Sequence, residues 1–339
     1  MGRTATAITC AIALLARDAH AQRVSELAIA AERWCTAGTA GAHDFLSITG
    51  AIELATGAIW ASDPRAGIIA EVDRDGRSVK PIVRSGDGPG EVRSPYKYVS
   101  WPDGVFGVYD VQPSSIELFA GNGTFLRRLN LGERLSNVKG ILALPQRGVL
   151  ISGGIAGNTS SIHVFDSAGV LTRSFHPVPV TKNPRAGQMV GGGAISAAAD
   201  GTVWFSQAAP HRISRLNVTH GTEEAFTADP TLIPTIGDDF IAEEQVNGQL
   251  VRSFKWFFPQ SRAVYQFGER LLNTVWLYDE NASIWEVYDV RTKRRLSSTR
   301  LPAAYHVLSR TRNGDLLAAK EDKETGQQFL CRLRTTLLN

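Results

Sequence analysis

The sequence predicts an all-β fold, a six-bladed β-propeller of four-stranded blades, its ring closed by the mature N-terminal strand completing the C-terminal blade. Three observations lead there. A tight-turn pair recurs as Thr56-Gly57, Asp103-Gly104, Arg147-Gly148, Asp200-Gly201, Gly268-Glu269 and Asn313-Gly314, with successive glycines 44 to 67 residues apart. A matching pair of short apolar runs follows each turn, and after the sixth turn the chain holds too few strands to finish its own blade. Repetition every ~45 residues, with four short strands per unit, is what a propeller blade requires.

In chain order, residues 1–21 read as a signal peptide. Arg3 is its positive start, Ala5 to Ala16 its apolar centre, and Ala19-His20-Ala21 a small-x-small cleavage site, so the mature chain is expected to begin near Gln22. That apolar run is shorter than the ~20 residues that span a bilayer, and no later stretch is long and apolar enough to do so. Of the three cysteines, Cys10 falls inside the signal, which leaves Cys35 and Cys331 in the exported chain. Exported thiols tend to pair.

Residues 22–339 then read as a single propeller domain. The second strands are Ile59-Trp60-Ala61, Val105 to Tyr109, Val149-Leu150-Ile151, Val203-Trp204-Phe205, Val275 to Tyr278 and Leu316-Leu317-Ala318. The third strands are Ile68 to Val72, Ile116 to Phe119, Ile162 to Phe165, Ile213 to Leu216, Ile284 to Tyr288 and Phe329 to Leu333. Fourth strands such as Phe125 to Leu129 and Val170 to Phe175 carry more Arg, Lys and Ser, as half-exposed outer edges do. The inner strands are less charged, so each blade runs from the axis outward.

The missing outer strand of blade six has a source. Glu32 to Thr36 precede the first inner strand and are expected to pair with Gln328 to Arg334, bringing Cys35 beside Cys331. A disulfide there encloses almost the whole chain and is worth about 4 to 5 kcal/mol in the loop-entropy model, before strain. Residues 229–261 break the rhythm as an insertion between blades four and five, with Phe240 to Val246 expected as one or two helical turns and Lys255 to Pro259 as an aromatic run. Loops of that length in compact folds are usually functional.

Composition narrows the function classes. With 36 Lys and Arg interleaved among 33 Asp and Glu, the chain has no basic stripe for a phosphate backbone, and nucleic acid is not an expected partner. The glycine-rich Gly86 to Gly90 lacks the Lys-Ser/Thr ending and the following helix of a phosphate loop, so it reads as a tight connection back to the axis. Asp63, Asp73, Asp110, Asp166 and Asp289 recur at strand ends, where Asp caps turn amides.

The stretch Gly86 to Gly121 resembles an NHL-type repeat: a Gly-Pro-Gly-Glu segment, a Pro, an inner strand, a turn, a strand ending in Tyr109-Asp110, then Ser115 to Gly123. The Gly-Pro-Gly-Glu form is similar to a group of exported bacterial six-bladed propellers related to NHL proteins, most without an assigned activity. The resemblance implies the fold and an extracytoplasmic location, not an activity.

In such a ring, the loops leading into the inner strands and those between second and third strands share one face around the channel. They are expected to carry Asp63, Arg84, Glu91, Asp110, Lys139, Gln188, His211, Asp279 and His306, with Trp256 on the insertion. This mixed set suits a polar small molecule, a peptide or a protein as ligand, bound by a monomer without cofactor. The alternative is a calcium-dependent hydrolase or lactonase, drawing ligands from Glu53 and Asn137. Against it, the Asn-Gly and Pro-Asp-Gly strand starts of gluconolactonase-like enzymes are absent, and Pro102-Asp103-Gly104 falls on the far hairpin. A lyase needs clustered histidines, and His163, His176, His211, His220 and His306 show no ligand spacing.

Overall fold

The computed structural model describes residues 30–36, 44–180, 184–227, 241–246, 249–254, 258–278, 280, 282–302, 305–322 and 324–335. They form six four-stranded antiparallel sheets, each with its strands in sequence order from axis to rim except the last. The inner strands are Gly50–Glu53, Pro95–Ser100, Leu135–Ala143, Ala194–Ala197, Gln260–Phe267 and His306–Arg310. Residues 1–21, read from the sequence as a signal peptide, lie outside the described residues.

Every blade interface has its own apolar cluster, and that between blades four and five has a second, formed by Ala208, Val275, Leu277 and Ile284. Strand alternation explains how one strand serves two interfaces. In blade one, Ile59 and Ala61 face blade six while Trp60 between them packs against Phe106 and Phe119 of blade two. In blade three, Leu150 faces blade four while Val149 and Ile151 face blade two. A strand buried on both faces needs an unbroken apolar run, and for that reason the second strands carry the strongest repeat signal.

Polar clamps supplement this packing. His176 on the rim strand of blade three has its Nδ1 2.8 Å from Glu223 Oε2 of blade four, and Arg212 Nη2 approaches its Nε2 at 2.8 Å. The hydrogen bond with His176, against an opposing burial effect, pulls the Glu223 carboxyl down to about 2.

The ring closes as expected. Strand Ala30–Cys35 pairs antiparallel with Gln328–Thr335, making the sixth sheet Ala30–Cys35, Gln328–Thr335, Leu316–Glu321 and His306–Arg310 from rim to axis. Cys35 sits opposite Cys331 in that register, and the two form a disulfide between residues 296 apart in sequence. Trp34 packs on the turn at Gly76, whose φ of +73° and absent Cβ admit the indole.

Two features differ from expectation. Instead of helical turns at 240–246, strands Ile241–Val246 and Gln249–Phe254 form a hairpin with Val246 opposite Gln249. The two residues between are Asn247 and Gly248, the commonest two-residue hairpin sequence, and that local signal outweighs the helical reading. The insertion also ends earlier than 261, because Gln260 and Ser261 already belong to the inner strand of blade five. A helix, Pro184–Gly191, stands in the connection from blade three to blade four and begins on a proline, as helices favour.

Two outcomes are expected. Replacing both Cys35 and Cys331 with Ser should leave the circular dichroism of the ring intact and cost about 2 to 5 kcal/mol in denaturant unfolding. Glu223, whose pKa is depressed, contributes stability that is complete above about 4.5 and lost as pH falls toward about 2. Glu223→Gln should therefore flatten that part of the acid unfolding curve.

Candidate functional site

The inner strands run side by side around the axis and enclose a cavity of about 300 Å³. Its wall is uneven. Small residues, Gly50, Ala51, Ala194 and Ala197, face the space from blades one and four, whereas Lys97, Lys139, Arg262 and Arg310 enter from blades two, three, five and six. Gly50 is required by crowding, since a Cβ there would stand 2.5 Å from the Tyr96 carbonyl.

The cations reach the channel because the inner strands are bulged. Pairing is irregular between Pro95 and Lys97, between Ser136 and Gly140, and between Ser261 and Ala263. Arg262 is the extra residue of the last of these, and Lys139 lies within the second. A bulge inserts an unpaired residue, bends the strand and re-aims its side chain. Lys139 Nζ donates to Gln260 Oε1 at 3.0 Å and stands over the Phe258 ring. Arg262 lies 4.5 Å from the centre of the Trp276 ring, which also contacts His306 at 4.5 Å, while Lys97 stands over Tyr96. Arg310 is anchored differently, donating to the Gln266 carbonyl at 2.7 Å over Phe267.

Enclosure and mutual repulsion disfavour these charges. Burial, reinforced by Arg262, pushes the Lys97 ammonium down to about 7. Lys139 is held well below the usual lysine range by burial, then by Arg262 and Lys97. His306 is pushed down to about 3 by burial and the same two cations. All of these side chains are half-buried, so channel water reaches them while protein surrounds them. No carboxylate lines the cavity among the described residues.

Of the residues singled out by sequence, Lys139 lines the cavity and His306 borders it through Trp276. Asp63 and Asp110 are buried caps: Asp63 accepts from the Leu46 and Ala66 amides, and Asp110 from those of Arg93 and Ser94 at 2.7 and 2.8 Å. They pin the chain as it turns into an inner strand. Glu91 caps the Gly88 amide at 2.8 Å, Arg84 is an exposed loop residue, and Gln188 donates to the carbonyls of Ile155 and Asn158. His211 is buried with Nε2 3.1 Å from Glu286 Oε2. Trp256 and Asp279 lie outside the described residues.

Glu53 and Asn137 are not brought together. Glu53 closes its inner strand at the far end, 2.9 Å from Arg332, whereas Asn137 stands near the start of its strand and donates to the Met189 carbonyl. The histidines are also dispersed: His163 binds Ser174 and the Gly153 carbonyl, and His176 and His211 each hold a glutamate. One set among the described residues has metal-ligand proximity, Glu32, Cys35 and Cys331, and its sulfurs are already bonded to each other.

The sequence reading passed over Lys97, Arg262 and Arg310. Their signal was available, because a lysine or arginine on an innermost strand is anomalous where the other blades place Gly, Ala or Ile.

No family model and no curated protein matches the sequence. Among solved structures, a protein of Bacteroides fragilis described as exported aligns with a TM-score of 0.55 at 12% identity, covering 91% of this chain and 95% of its own. A DUF4221-family member from Bacteroides vulgatus aligns at 0.52 and 8% identity, over 85% of this chain and 98% of its own. A catalytically inactive variant of virginiamycin B lyase from Staphylococcus aureus, solved with quinupristin, aligns at 0.52 and 14% identity, over 86% and 82%. The likeness at these identities is one of fold, a β-propeller.

Removing the Arg262 charge should relieve Lys97. In Arg262→Gln, the Lys97 titration followed by NMR of its side chain should move up from about 7, and an unchanged midpoint would contradict the coupling.

Proposed function

We propose that the protein is an exported propeller acting as a binding module, which takes a polar small molecule at the channel mouth. The observation that carries this reading is the convergence of Lys97, Lys139 and Arg262 on a cavity of about 300 Å³. That volume is at the small end of the range for ligand sites and favours a small molecule over a peptide or protein. Helix Pro184–Gly191 immediately precedes the inner strand of blade four, at the face where that strand begins. The helix end is joined to that face through Val190, packed with Ala209 and Phe258, while Phe258 in turn lies under Lys139.

Export is supported by the N-terminal sequence and by the disulfide, since such bonds persist in oxidising compartments. No helix among the described residues is long and apolar enough to cross a membrane. A calcium-dependent hydrolase is disfavoured by charge: a divalent cation would meet lysine and arginine in the channel, and Glu53 is committed to Arg332.

The test is a ligand-observed NMR screen of neutral and charged fragments against the wild type and Ala197→Trp, which fills the cavity from an exposed wall position. Fragments that bind the wild type and are lost in the filled variant support the reading, and their absence defeats it. Millimolar calcium should leave the melting temperature unchanged, whereas a specific calcium site would raise it by mass action.

A further inference from the structure

We infer that the channel mouth recognises the oxyanion head of a small molecule, a phosphate, sulfate or polycarboxylate group, held jointly by Lys97, Lys139 and Arg262; this rests on the binding-module reading above. Three facts support it independently of the fold. The first is charge without compensation. Lys97, Lys139 and Arg262 come from three different blades; Arg262 acts electrostatically on both lysines, and Lys97 acts on Lys139. Across the channel, blades one and four add only neutral residues to the wall. Like charges brought together in an enclosed space oppose one another, and an anion among them reverses that penalty.

The second is unused hydrogen-bonding capacity. Arg262 Nε is buried without a hydrogen-bond partner among the described residues, as are the hydroxyls of Ser196 and Ser309 in the same cavity wall. Buried polar groups are nearly always paired, so unpaired ones on residues that line a cavity single it out as a place where a partner is missing. Guanidinium and ammonium groups are the usual partners of oxyanions, arginine through its fork and lysine as a point charge. The third is backbone placement: Lys139 and Arg262 lie inside bulges of their inner strands and Lys97 is the paired residue directly after one, and bulges recur beside functional sites because they redirect a residue without moving the sheet.

Protonation sets the direction of a pH effect. The titratable groups facing the mouth are Lys97 and Tyr98 of blade two, Lys139 of blade three, Arg262 and Tyr265 of blade five, and His306 with Arg310 of blade six. Burial raises both tyrosines, so they stay neutral, and His306 is neutral above about 3. Lys97 is therefore the group that changes charge near neutrality, with Lys139 shifted in the same direction. An anion is held below the Lys97 midpoint of about 7 and is released as pH rises through it.

The test is isothermal titration of the full chain with sulfate and with citrate at matched ionic strength. Sulfate keeps its charge throughout, so its pH dependence reports the protein. Binding that weakens about tenfold or more in Arg262→Gln, that also weakens in Lys139→Met, and that declines from pH 6 to pH 9 supports the proposal. The second variant keeps the test open if the first does not fold. Equal binding by wild type and both variants overturns it, because the anion then sits elsewhere. Neutral fragments that bind in the channel while sulfate and citrate do not would overturn the anion class and leave the binding module standing.

Discussion

A ring of sheets has to meet itself, and that single closure governs this molecule. Five blades are each built from one continuous stretch, but the sixth takes its rim strand from residues 30–35 and its other three from the far end of the chain. Without that pairing, blades six and one would lose the fixed angle at which Phe45, Ile48 and Ile59 pack against Leu317 and Leu330. Each of the other interfaces would remain locally satisfied, yet the channel that all six inner strands define would have no fixed width. The Cys35–Cys331 bond converts a pairing of strands into a covalent loop at the point where separation is cheapest.

Closure also makes the channel a crowded place, and the site is a product of that crowding. Six inner strands converge, so small residues are needed somewhere, and Gly50, Ala194 and Gly140 supply them. Where the backbone bulges, room returns on the opposite side, and long cationic side chains occupy it. Their depressed pKa values follow from the same geometry, since the wall that positions them also removes much of their water. The anion-binding character is thus a property of three blades acting across an axis, with no single loop responsible.

The fold was legible because its signals are local and repeated. Turn glycines such as Gly104 and Gly201 need positive φ, and second strands buried on both faces need unbroken apolar runs; both marks survive in a single sequence. The partner of Cys35 was legible for a different reason, because only one blade lacked a strand. The site was mostly illegible. Of the residues read from the sequence, Lys139 lines the channel and His306 borders it, whereas Asp63, Asp110, Glu91 and His211, drawn into the same set by position, cap amides or pair in the interior. What separates the two groups is whether a side chain turns toward the axis or toward its own backbone. That choice depends on one-residue register shifts, such as the one at Arg262, which leave no trace in hydrophobic periodicity.

The borrowed strand has a consequence for the order in which the molecule is made. Residues 30–35 leave the ribosome well before Gln328–Thr335, so the rim strand must wait through the synthesis of five entire sheets before its partner exists. During that interval Trp34 has the Gly76 turn of blade one to pack on but the strand's amides have no native partner, and an open arc of blades presents a bare edge at either end. Assembly is therefore finished by the first-made strand of the ring, and whatever guards that short peptide in the meantime guards the whole ring.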